Sequence, residues 1–216
     1  MLFRTVRLAG AGKTYVASQV IDWFLSNPTE ESKLAYFYCN RAEENRRDPE
    51  SILRTLIQQL AQTPSKDKLL TPVLNVYKER EEEGQLSSRL TLKECLDLLV
   101  QLIAVYPQTT ICIDALDEVD HKLRLGLLRA LKHVVERSKT RVKIFATTRM
   151  DTDILMQFEM FPRIELEPDD NVDDINRFVK EKVLEMIEQR LLLHGNVPNP
   201  LKDEICQVLC ERSKGM

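Results

Sequence analysis

The sequence predicts an α/β fold, a parallel sheet with helices packed on its faces. Three observations predict it. Short apolar runs alternate with longer segments of helical periodicity along the chain. A glycine-rich turn, AGAGKTY at 9–15, separates the first apolar run from the first helical segment. A later apolar run, ICID, ends on an acid, Asp114.

The elements follow in order. Residues 2–8 form the first apolar run, and a helix is expected over 13–25, with Val16, Val20, Ile21 and Phe24 at helical spacing. LAYFYC at 34–39 reads as a strand: short, aromatic-rich and uncharged. The polar stretch NRAEENRRDP reads as a loop. Asp48 followed by Pro49 starts a helix, the acid as cap and the proline at its first position. Ile52, Leu53, Leu56, Ile57 and Leu60 line one face of it. Another helix is expected over 66–82, ending in the solvated charge run KEREEEG. Thr91 and Glu94 have capping-box spacing ahead of Leu92, Leu96, Leu99, Val100 and Ile103.

TTICID at 109–114 reads as a buried strand and 123–138 as a helix. VKIFATT at 142–148 is the next strand, with Arg149 just beyond it, and 163–166 is a weak strand. Asn171 and Asp174 resemble a capping box before a helix carrying Ile175, Phe178, Val179, Val183, Met186 and Ile187. Gly195 suits the end of that helix, and a last helix begins near Pro200. The stop at SKGM reads as a truncation. The expected division is a core over 1–168 and the start of a C-terminal helical region over 169–216.

A chain of 216 residues with 43% apolar content has room for one large α/β domain or a domain with a small appendage. Its 31 basic and 34 acidic residues give a net charge of −3, so no basic footprint points to nucleic acid as a partner. No apolar run approaches the roughly 20 residues that span a bilayer, so no membrane partner is expected. The start, MLFRTVRLAG, lacks the long apolar centre of a signal peptide, and the reading is a cytoplasmic protein. The five cysteines include no C-x-x-C pair and read as buried free thiols rather than metal ligands.

The turn at 9–15 carries the most chemistry. Phosphate oxygens need several backbone N–H groups pointing inward together, and small residues let the backbone approach. Ala9, Gly10, Ala11 and Gly12 supply that freedom, with Tyr15 closing the segment. Lys13 would reach the β- and γ-phosphates, and the Thr14 hydroxyl would bind Mg²⁺. The helix beginning there aims its positive end at the anion. Arg7 stands where the full G-x-x-x-x-G-K-[ST] pattern has glycine, and Arg4, Thr5 and Arg7 make a polar lead-in.

Asp114 lies where ligands bind in open α/β sheets, at the carboxyl end of a strand, and can hold Mg²⁺ opposite Thr14. Glu118, and less favourably Asp117, can orient or deprotonate an attacking water. Asp120 can cap the next helix without chemistry. Arg149, at the tip of the following strand, can contact the γ-phosphate; the plain alternative is a surface arginine paired with Asp151 or Asp153.

With these motifs in order, the chain resembles a NACHT domain, a member of the STAND class of P-loop NTPases, nearest the fungal nephrocystin-3-like N-terminal type. GAGKTYVAS, LAYFYC, RRDPESILRTLIQQL, YPQTTICIDALDE and VKIFATTRMD carry the resemblance, and Ala115 followed by DE is its specific mark. The resemblance implies a three-layer sandwich around a five-stranded parallel sheet in the order 5-1-4-3-2. It implies ATP or GTP binding with Mg²⁺ in a signalling switch with slow hydrolysis at best. It also implies protein partners or self-association through downstream regions such as ankyrin repeats. Arg7 favours a second reading, a pseudo-NTPase interaction module that has lost nucleotide binding. A small-molecule kinase is a third, with no acceptor signature to support it.

Overall fold

The computed structural model describes residues 12–29, 31–62, 68–85, 87–166 and 172–213, and the backbone of 2–6. In chain order these are β1 (Leu2–Val6), α1 (Lys13–Ser26), β2 (Ser32–Tyr38), α2 (Glu44–Arg47), α3 (Pro49–Leu60), α4 (Thr71–Glu82) and α5 (Leu92–Ile103). Then come β3 (Gln108–Asp114), α6 (Arg124–Arg137), β4 (Arg141–Arg149), α7 (Thr152–Gln157), β5 (Arg163–Leu166), α8 (Val172–Glu188) and α9 (Asn199–Ser213).

The strands form one sheet in the order β2-β3-β4-β1-β5, the expected order read from the other edge. Among the described residues, parallel pairing is shown for three strands, not for the expected five. β2 runs beside β3 from Ser32↔Gln108 to Tyr38↔Asp114, and β3 beside β4 from Gln108↔Arg141 to Ile113↔Ala146.

Strand periodicity explains the layers. Successive side chains point to opposite faces, so a sheet covered on both sides needs apolar residues at odd and even positions alike. Ile111 and Ile113 of β3 join Ala35, Phe37, Ile144 and Ala146 in a core shared with α3, α5 and α6. Cys112 and Phe145, one residue out of step, pack with Ala17 and Ile21 of α1 on the other face. Gln59 of α3 protects the β2 edge: its amide accepts from Tyr36 N at 2.8 Å and donates to Tyr36 O at 2.9 Å.

The helix starts follow their caps. The Asp48 side chain accepts from Ser51 N at 2.8 Å, with Pro49 at the first position of α3. Ile52, Leu53, Leu56, Ile57 and Leu60 are buried, the face that spacing had marked. Thr91 and Glu94 form a complete capping box on α5. Hydrogen bonds from the Thr91 hydroxyl, then from the Thr91 backbone and Arg80, hold the Glu94 carboxyl down to about 2 from 4.5.

Several boundaries differ from expectation. α4 starts at Thr71 rather than residue 66, because Pro72 is tolerated only in a first turn. The first strand is described to Val6, and the residues beyond it up to 8 lie outside the described set. Part of the NRAEENRRDP loop is the short helix α2. Gly195 does not end α8, which stops at Glu188; it closes a later 3₁₀ turn with φ 85°. Asn171 lies outside the described residues. Cys39, Cys95 and Cys112 are buried, but Cys206 and Cys210 are only half-buried. Burial pushes the Cys95 thiol up to about 11 and Cys112 up to about 12.

The chain divides into two compact units, one built mainly from Gly12–Ile164 and the other mainly from Glu165–Met216. Among the described residues, no helix is long and apolar enough to cross a membrane.

Two outcomes test this packing. Leu56→Ala, at a fully buried site, should cost about 2–5 kcal/mol in urea unfolding. Glu94→Gln should be less stable than the parent at pH 7. Because the folded carboxyl is depressed, that gap should close as pH falls from 4.5 toward 2.

Candidate functional site

The site begins at Gly12. Its φ of 81° is left-handed, a conformation L side chains adopt only under strain, and from it α1 starts with no side-chain cap. No acid lies in the first turn of α1. The positive end of the helix start is therefore not offset by an acid of its own first turn. Lys13 and Thr14 are its first two residues. Ala9, Gly10, Ala11 and Arg7 lie outside the described residues. Tyr15 follows, with its side chain 68% exposed and turned to solvent.

The end of β3 brings the acids to this helix start. The Thr14 hydroxyl donates to Asp114 Oδ2 at 2.7 Å. The other oxygen, Oδ1, accepts a 2.5 Å hydrogen bond from the hydroxyl of Thr147 on β4. The same Thr147 oxygen accepts from Ala115 N at 2.9 Å. Ala115 needs that support, because its φ of 53° is left-handed, a conformation that costs a residue bearing a Cβ of the order of 1 kcal/mol. The reversal there turns the chain from the strand into a 3₁₀ turn over Leu116–Glu118.

Asp117 is the most enclosed charge in the site, 1% exposed. Lys13 Nζ lies 3.2 Å from its Oδ1, which also accepts from Arg149 N at 3.0 Å. Arg149 Nε lies 3.2 Å from Oδ2, yet that oxygen receives no well-directed hydrogen bond. The second contact is one of charge rather than of aligned donor and acceptor. Glu118 is half-buried, and its Oε2 accepts from Arg41 N at 3.1 Å.

Lys13, Thr14, Asp114, Asp117 and Arg149 are thus joined at one edge of the sheet, with Glu118 one residue from Asp117. Asp120 accepts from Lys122 N at 2.9 Å, a turn contact outside the cluster. Asp151 and Asp153 pair not with Arg149 but with Arg124.

Three contributors escape a reading of the sequence. Thr147 is one of two fully buried threonines after the apolar run IFA of β4, a polar interruption that a search for buried partners of Asp114 would have found. Arg41 reaches Asp117 O with Nη2 at 3.1 Å from a loop that looks merely polar. Arg124 has no signal, since a charge in a first helical turn ordinarily faces solvent.

A sheet with a glycine-turned, Lys-Thr helix start facing an acid at the end of β3 defines a P-loop NTPase type of domain. The chain belongs to the Nephrocystin 3, N-terminal family, whose model matches residues 6–149. No curated protein matches it in sequence. Its fold is similar to that of the ORC2 protein of Aeropyrum pernix, at a TM-score of 0.52 and 12% identity, over 99% of this chain and 62% of that one. Cdc6p of Pyrobaculum aerophilum gives a TM-score of 0.49 at 14% identity, over 96% of this chain and 48% of that one. A Walker-type ATPase of Pyrococcus abyssi gives 0.48 at 14%, over 96% and 57%. The chain therefore spans between 48% and 62% of the lengths of these three structures.

Thr147→Val should leave the Ala115 N–H and one Asp114 oxygen without their buried partner. A loss of about 1–3 kcal/mol is expected in denaturant unfolding, with the fold retained by circular dichroism.

Proposed function

We propose that this chain is a nucleotide-binding module, taking ATP or GTP together with Mg²⁺, in a switch protein of the NACHT type within the STAND class. The observation that carries the proposal is the 2.7 Å contact between Thr14 and Asp114, with Lys13 beside it. The donor set fits the ion. Mg²⁺ favours hard oxygens and usually takes only one or two protein ligands, the rest being water and phosphate. Thr14 and Asp114 are two such oxygens, and no fuller cage of His, Cys, Asp and Glu occurs among the described residues.

In this reading Thr14 and Asp114 hold the ion, which when bound neutralises charge on the phosphates. Gly12, Lys13 and Arg149 grip the phosphates, with Ala9, Gly10, Ala11 and Tyr15 completing the loop. Lys13 and Arg149 leave Asp117 to do so. Glu118 is the better candidate to orient a water and accept its proton, since it is half-buried rather than enclosed. Asp117 is the alternative, and hydrolysis is slow. The core spans 1–168, and 169–216 begins a helical region. The partners are proteins, including further copies of the chain, met in the cytoplasm rather than on nucleic acid or membrane.

One observation favours a second reading. Both cations nominated for phosphate already face the Asp117 carboxylate within the chain. With Arg7 in place of the first glycine, that suits a pseudo-NTPase interaction module.

Thermal melting separates the two. A nucleotide-binding protein gains about 2.7 kcal/mol at a hundredfold excess of ligand over Kd, whereas a pseudo-NTPase gains nothing. Lys13→Ala should abolish binding in calorimetric titration; undiminished affinity would remove the phosphate-loop assignment. Glu118→Gln should keep binding but lose turnover, and if Asp117→Asn alone does so, Asp117 is the base.

A further inference from the structure

Arg124 is 2% exposed, although it is a cation in the first turn of α6. Both facts work against it. Burial strips its hydration, and a helix start is positive. A leucine would pack there without either cost.

The contacts show what the arginine supplies. Nη1 donates to the backbone carbonyl of Asp117 at 3.0 Å and lies 2.9 Å from Asp151 Oδ2. Nε and Nη2 grip Asp153 as a fork, at 2.9 and 2.7 Å. Nη2 also lies 2.9 Å from His121 Nδ1. Four of these contacts have hydrogen-bond geometry and the fifth, to Asp151, is an ion pair. They join two loops, the acid turn after β3 that holds Asp117 and Glu118, and the segment after β4 that follows Arg149. A second link closes the ring, because the Asp117 carboxylate accepts from Arg149 N.

We propose that Arg124 is a positioning residue that ties the acid turn to the Arg149 segment, so that a γ-phosphate drawn to Arg149 is registered at Glu118. The proposal rests on the nucleotide-binding reading and adds to it a route from terminal-phosphate sensing to the acid. Arg124 itself touches no nucleotide. The Arg149 side chain can leave Asp117 for the phosphate while the Arg149 backbone, Asp151 and Asp153 keep their hold. The pull then passes through the fork to the carbonyl one residue before Glu118.

The test compares Asp153→Asn and Arg124→Lys with the parent chain. The Kd for ADP and for a non-hydrolysable ATP analogue is measured by titration calorimetry with Mg²⁺. Asp153 is a third exposed, so its variant tests the fork even if the arginine variant does not fold. Expected is an ADP affinity held within about twofold, with the preference for the triphosphate reduced about tenfold. Asp153→Asn added to Arg149→Ala should produce no further loss of preference, since both cut one route. A merely structural arginine predicts lower melting temperatures with an unchanged preference in both variants, and that result overturns the proposal. A parent chain that binds neither nucleotide overturns the nucleotide reading as well. Binding by the parent with an unaltered preference in Asp153→Asn overturns this inference alone.

Discussion

The carboxylate of Asp117 organises the edge of the sheet. It is enclosed, and an ion withdrawn from water is tolerated only beside opposite charge. Lys13 and Arg149 supply that charge from two stretches of chain separated by more than half its length. Lys13 is largely covered there, whereas Arg149 reaches the carboxylate from an exposed position. The one carboxylate thus links the helix start, the acid turn and the tip of β4. The same carboxylate occupies the cations that a phosphate would need, so any anion entering the site competes with a partner already in place.

Rigidity at this edge comes from below. β3 is paired in parallel on both sides, and its side chains are packed against α1 on one face and α3, α5 and α6 on the other. Asp114 therefore sits at the end of a strand that has little room to shift. Thr147 fixes its carboxylate from β4, and Thr14 meets it from α1. The left-handed turn at Ala115 then directs the chain across the sheet edge rather than onward. A small side chain at 115 limits the cost of that reversal, which gives a physical reason for the alanine.

The sheet and the main site residues were legible because their chemistry restricts residue type and spacing. Gly12, Lys13, Thr14, Asp114 and Arg149 stand at the ends of apolar runs, and alternation of period two with period 3.6 placed those ends. The Asp48–Pro49 start and the Thr91–Glu94 box were legible because each satisfies helix N–H groups locally. What was hidden depends on distance in sequence. Arg124 pairs with Asp151 and Asp153 across 27 and 29 positions, and nothing local distinguishes it from a solvent-facing arginine. Thr147 acts through a partner 33 positions away. The late start of α4 has a local cause, since Pro72 sets the boundary in the first turn.

Cys39 follows β2 directly and its backbone N–H donates to Asp114 O. Burial, then the nearby charges of Asp114, Asp117 and Glu118, push its thiol far above the ordinary cysteine range. At neutral pH it carries almost no thiolate, so alkylating reagents and peroxide find it unreactive while the chain stays closed. Burial first, and the charge of the acids second, thus shield a sulfur beside Asp114. Its rate of modification would therefore report any opening of this end of the sheet.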